Sequence, residues 1–155
     1  MSGPGYWWEM SENECMVEAS AEDVFAVLTD GWRYAAWVVG ASRVRDVDAP
    51  WPEPGGIIHH SVGAWPLLIN DTTEAVEYDE GRRLRLRVRA WPVGEGDVEF
   101  RVHEGPKGCR VVMTEKAVRG PASLMPAGLA DLLLGARNTE TLHRLKLLAE
   151  QRKES

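Results

Sequence analysis

The chain lacks several features that would narrow its class at once. No apolar run among its 155 residues approaches the roughly 18 needed to span a membrane as a helix. Met1–Met10 has neither a basic nor an apolar region, so no secretory signal is expected there. There are only two cysteines, Cys15 and Cys109. Their spacing is neither a metal nor a redox motif. They read as reduced core thiols of a cytoplasmic protein, or as neighbours should the first and last strands pair. The histidines, His59, His60, His103 and His143, have no zinc spacing with one another or with the cysteines, so no metal and no cofactor are expected. Phosphate loops, dinucleotide fingerprints and Ser or Cys nucleophile motifs are missing, and Gly94-Glu95-Gly96 reads as a turn. Positive charge is also short. The net charge of −6 points away from nucleic acid and anionic membranes.

What is present is a 44% apolar, 27% charged chain with seven tryptophans, long enough for one domain with a real core (residues 1–155). The tryptophans serve a rigid core or a stacking surface for a flat ligand. Met1–Gly5 is expected to be a disordered tail, and Tyr6–Ala19 a first strand with Cys15, Val17 and Ala19 inward. Ser20-Ala21-Glu22-Asp23 has the form of a capping box that starts a short helix over Val24–Leu28. Trp32–Val38 reads as a second short helix closed by Gly40.

Strand-favouring runs then alternate with turns: 42–48, 56–65, 67–78, 83–91, 97–103 and 108–118. In one of them Arg83, Arg85, Arg87 and Arg89 alternate with Leu84, Leu86, Val88 and Ala90. In the next, Asp97, Glu99, Arg101 and His103 alternate with Val98, Phe100 and Val102. Paired as a hairpin, these strands set arginines against acids on a wet outer face and leave an apolar inner one. The last strand, with Arg110 and Lys116 outward, puts Val111, Met113, Glu115 and Ala117 inside, and Val112 and Thr114 outside. A lone buried carboxylate is costly. Glu115 is therefore paired, protonated or lining a hydrated cavity, unless a strand end or bulge turns it out. The same alternation sends His60 inward with Ile58 and Val62, and His59 outward.

Residues 121–152 support one long helix, with no proline after Pro126. Two apolar stripes run along it, one of Leu129, Leu132, Leu133 and Ala136 and one of Leu134, Thr141, Leu142, Leu145, Leu148 and Ala149. Either the first half of the helix is buried all round, or Gly135 kinks it, or one stripe packs on the sheet while the other faces a cavity or a covering loop. Arg137, Arg144, Lys146, Arg152 and Lys153 suit the dipole at its C-terminal end.

This order of elements, together with Ala21–Asp30, Trp37-Val38-Val39-Gly40, Trp51-Pro52-Glu53-Pro54-Gly55 and Arg137–Leu145, resembles the START-like (SRPBCC) superfamily. The similarity is greatest to its polyketide cyclase/dehydrase and lipid-transport group. The resemblance implies an α+β helix-grip fold: a curved antiparallel sheet of about seven strands wrapped around a long C-terminal helix, with two short helices after the first strand. It also implies an apolar small-molecule partner held between sheet and helix. Candidate ligand-binding residues are Trp37, Ile58, Trp65, Asp71, Trp91, Phe100, Met113, Leu129, Leu132, Leu133 and Asn138. A cyclase/aromatase-type enzyme on the same fold would need a proton donor and acceptor. His60 with Glu115 is the candidate catalytic pair, with Asp71 and Thr73 behind them. A third reading, a protein-interaction module, expects an exposed apolar patch at Trp7-Trp8 or at Pro50–Pro54.

Overall fold

Ser20 starts the first helix as its sequence implies. Its hydroxyl accepts from the Asp23 backbone N–H at 3.1 Å, and the Asp23 carboxylate accepts from the Ser20 N–H at 3.3 Å. A computed structural model of the protein describes residues 10–63, 66, 68–90, 94–119 and 127–155, with the side chains of 10, 90, 94, 117–119 and 127–134 not described. Strand β1 (Met10–Val17) leads into α1 (Ala21–Leu28), a 3-10 turn (Gly31–Arg33) and α2 (Tyr34–Trp37). Six strands follow: β2 (Ala41–Val47), β3 (Ile57–Val62), β4 (Ile69–Asp79), β5 (Arg83–Ala90), β6 (Gly94–Gly105) and β7 (Gly108–Arg119). The chain then enters helix α3 (Ala127–Lys153).

The seven strands form one antiparallel sheet in the order β1-β7-β6-β5-β4-β3-β2. This is an α+β helix-grip fold, with α3 packed against β1 and α1. β1 pairs with β7, the last strand, so the two cysteines lie close: Val17 faces Cys109 and Cys15 faces Val111. Both are free thiols, and burial raises their pKa, that of Cys109 to about 11.

The β5–β6 register sets Arg85 opposite Glu99, Arg87 opposite Asp97 and Arg89 opposite Glu95. Arg89 reaches Glu95 at 2.9 Å, and Arg85 reaches Glu77 of β4 at 2.9 Å. The arginine row is thus satisfied within the sheet, which leaves the opposite faces of these strands for the core: Leu84, Leu86, Val98 and Phe100 are buried.

Two local expectations change. Gly94-Glu95-Gly96 belongs to β6 and is not a turn. A register shift falls between Glu95 and Gly96, and a Cβ on Gly96 would stand 3.3 Å from the Lys116 carbonyl. A glycine at a strand irregularity where another backbone comes close looks, in sequence, like a turn glycine. Val112 is on the outer face but only 8% exposed. Its cross-strand neighbours Glu14 and Arg101 flank it on both sides, and stems of such long side chains cover apolar surface.

The Pro50–Pro54 loop does not present its tryptophan outward. Trp51 is buried and donates from Nε1 to the Thr29 carbonyl at 2.9 Å. Large exposed apolar side chains among the described residues are Met16, Trp32 and Leu147, on three separate elements. Trp7 and Trp8 lie outside the described residues. No helix among the described residues is long and apolar enough to cross a membrane.

Candidate functional site

Two polar stations are built into the inner surface. The first is on β3 and β4. His60 is 1% exposed, and its Nε2 lies 3.0 Å from the Thr73 hydroxyl. Thr73 in turn lies 2.7 Å from the Tyr34 hydroxyl, and the Tyr34 ring stacks on the imidazole at 5.1 Å between centroids. A threonine hydroxyl has one proton to give. The order Tyr34 to Thr73 to Nε2 satisfies both hydroxyls without a further acceptor and leaves the proton on Nδ1. That Nδ1 has no hydrogen-bond partner among the described residues. Burial drives the Tyr34 phenol up to about 12, with the Thr73 hydrogen bond working the other way.

Burial also lowers the pKa of His60. The Asp71 carboxylate and the Thr72 backbone favour the charged form but do not prevail. The folded imidazole stays neutral below the unfolded value of about 6.5, where the unfolded chain takes up a proton that the folded one does not. Stability is therefore intact above about pH 6.5 and falls as the pH drops below it. Urea midpoints measured from pH 7.5 to 5 should decline in the wild type, and His60→Gln should flatten that slope.

The second station joins β7 to α3. Val111, Met113 and Glu115 share the inner face, and Glu115 is 7% exposed in the body of the strand. Its Oε1 accepts from Nη2 of Arg137, and its Oε2 has no partner among the described residues. Asn138, next on the helix, is fully buried, and neither its Nδ2 nor its Oδ1 is partnered. Trp37 is held edge-on between Tyr34 and Phe100, and its Nε1 is likewise unpartnered.

These four residues, Trp37, His60, Glu115 and Asn138, account for every buried unpartnered side-chain polar atom among the described residues, and all four line one cavity. Its remaining walls are largely apolar, including Val38, Val62, Leu86, Val88, Val98, Phe100 and Met113. The cavity measures about 60 Å³. A water occupies roughly 30 Å³ in the liquid, and a cavity of roughly 150 Å³ takes up benzene. A ring-sized guest therefore enters only if part of the wall moves. The side chains freest to yield are Arg137 and Arg89, 40% and 61% exposed, not the interlocked Trp37 and Phe100. A larger groove of about 1110 Å³ lies between α1, the β4–β5 turn and β6. It is open, lined by charges of both signs, and contains none of the unpartnered atoms.

His60 and Glu115 border the same cavity, yet β3 and β7 stand four strand spacings apart in the sheet. That is about 19 Å measured along its surface. Each has its own hydrogen-bond partner, so they form two ends of a cavity and not a hydrogen-bonded dyad. Trp37, Phe100, Met113 and Asn138 also line it. Ile58 is in the core but not in the lining. Asp71 faces His60 across the β3–β4 pair, half-buried outside the lining, and acts on His60 through its charge. Trp65 and Trp91 lie outside the described residues, as do the side chains of Leu129, Leu132 and Leu133.

Tyr34, Arg137 and Thr141 also line the cavity, and no local pattern marks them as site residues. By pattern Arg137 is a charge suited to the helix dipole, and pairing is only one of the states that the sequence leaves open for an inward Glu115. The described part of α3 meets both the core and the cavity. Leu142, Leu145 and Ala149 fill the core, and Arg137, Asn138 and Thr141, which precede them in the chain, line the cavity. Among the described residues, no group of three or more His, Cys, Asp or Glu side chains is placed to hold a metal ion.

The sequence pattern of the polyketide cyclase / dehydrase and lipid transport family matches residues 11–150. A protein of Nitrosomonas europaea is similar in structure, with a TM-score of 0.72 at 17% identity over 96% of this chain and 99% of that one. The di-domain ARO/CYC StfQ of the steffimycin biosynthetic pathway aligns with a TM-score of 0.74 at 12% identity, over 95% of this chain and 52% of that one. Ara h 8.0201 aligns with a TM-score of 0.70 at 9% identity, over 90% and 96%. At these identities the likeness is one of fold. A search of curated proteins by sequence found no match.

Proposed function

The chain belongs to the polyketide cyclase / dehydrase and lipid transport family, and we propose that it binds a small, mainly apolar molecule in the cavity between the sheet and α3. The observation that carries this reading is that Trp37, His60, Glu115 and Asn138, which hold every buried unpartnered side-chain polar atom among the described residues, all line one apolar-walled space. Buried polar atoms without partners each cost about 1–3 kcal/mol, a cost that a suitably placed guest removes. Small-molecule sites combine such apolar walls with a few convergent polar groups.

Native mass spectrometry of the purified protein should show a bound small molecule. Val62→Phe, at a half-buried position of the lining, should abolish that binding while leaving the fold intact by circular dichroism. Ligand retained in full by a folded Val62→Phe variant sinks the reading.

A cyclase- or dehydrase-type activity is the second reading, favoured by one observation: a buried, neutral imidazole and a carboxylate bound the same cavity. His60 serves there as proton donor from Nδ1 at one end of the substrate, and Glu115 as acceptor at the other. His60→Gln should then keep binding and lose turnover. Equal turnover in that variant removes the catalytic role.

A further inference from the structure

We propose, building on the binding reading above, that the Glu115–Arg137 pair makes this cavity selective for neutral molecules bearing a hydroxyl group and against molecules that end in a carboxylate. Glu115 brings a charge to the inner face of the sheet, and Arg137 matches it through Oε1. The pair is neutral as a unit, and Arg89, the other arginine of the lining, is held by Glu95. The side-chain atoms left without a partner on the residues that line the cavity include Glu115 Oε2, which only accepts, the Trp37 Nε1–H, which only donates, and the Asn138 amide, which does both.

A hydroxyl answers this set, because it gives a proton to Oε2 and accepts from an indole or amide N–H. A hydrocarbon leaves all of these atoms desolvated and unpartnered. A carboxylate brings a second negative charge beside Glu115 inside apolar walls, where the repulsion is poorly screened. The site therefore disfavours the guest lacking the group and, more strongly, the guest with the wrong charge. Arg137 is 40% exposed, so it can be solvated if its partner is lost. Neutralising Glu115 alone should then release the guanidinium as an anion site.

Three probes of one shape test this by equilibrium dialysis at pH 7: 2-naphthol, naphthalene and 2-naphthoate. The wild type should bind 2-naphthol at least about tenfold more tightly than naphthalene, the worth of one net hydrogen bond, and 2-naphthoate most weakly. In Glu115→Gln the order of naphthol and naphthoate should reverse, which requires naphthoate to gain more than about tenfold on naphthol. Wild-type affinity for naphthoate equal to that for naphthol overturns the selectivity. So does naphthoate affinity unchanged by Glu115→Gln. If that variant does not fold, the wild-type order decides alone. Naphthalene and naphthol bound equally, and both lost in Val62→Phe, would end the hydroxyl preference and leave the cavity as the binding site. Failure of all three to bind would overturn both.

Discussion

Trp37→Ala should lower the unfolding free energy by about 3–5 kcal/mol, a large part of the roughly 5–15 kcal/mol that a domain of this kind possesses. Trp37 is 1% exposed and is among the largest fully buried side chains. It meets the edges or faces of Tyr34 at 5.6 Å and Phe100 at 5.5 Å between centroids, and aromatic pairs of this geometry add about 0.5–1.5 kcal/mol each beyond area burial. The void left by alanine would adjoin the existing cavity, so the surrounding side chains have little incentive to collapse. Free indole should therefore raise the urea midpoint of Trp37→Ala in a concentration-dependent way, as any ligand that binds only the folded state must. The wild type should not respond to the same degree. A loss below about 1 kcal/mol, or no response to indole, would show that the ring is not a structural wall of the cavity.

Arg137→Met should destabilise by about 2–3 kcal/mol, although the arginine is partly exposed. Removing one partner of a fully buried ion pair costs about 3–5 kcal/mol, because the other charge is left stranded. Here the loss is reduced, since Arg137 reaches solvent and water can follow it toward Glu115, which is itself 7% exposed. The methionine keeps the apolar stem and removes only the guanidinium. The informative comparison is the double variant with Glu115→Gln. If the cost arises from an uncompensated carboxylate, removing that charge should recover about 1 kcal/mol or more relative to the sum of the single effects. Strict additivity in the denaturation cycle would mean that the two side chains stabilise the fold independently and that the pair does not tune the cavity.

Much of the architecture was legible in local pattern. The Ser20–Asp23 capping box, the arginine–leucine alternation of β5 and the inward run Val111, Met113, Glu115 of β7 each follow from a period of two or from a cap. Such rules involve residues within a few positions of one another. Where they failed, a distant backbone was responsible. Gly96 looks like a turn because the close approach of Lys116 is invisible without β7 beside it. Val112 looks exposed because its covering neighbours, Glu14 and Arg101, belong to other strands, β1 and β6.

The candidate site divides along the same line. Alternation along a strand tells which way a side chain points, so His60 and Glu115 could be placed inward from their own strands. It carries no information on how many strands lie between them. The order β7-β6-β5-β4-β3 makes them opposite ends of one cavity, each with its own partner. Likewise, the wheel of α3 marks Asn138, Thr141, Leu142 and Leu145 as one face, but only packing against the sheet separates the part of that face that fills the core from the part that meets the cavity. Direction is a local property of φ and ψ and of the chiral Cβ, and a short stretch of chain contains it. Partnership depends on which distant segments the whole hydrophobic core brings together, and Arg137 with Glu115, Tyr34 with Thr73 and the unpartnered amide of Asn138 exist only once that core has formed.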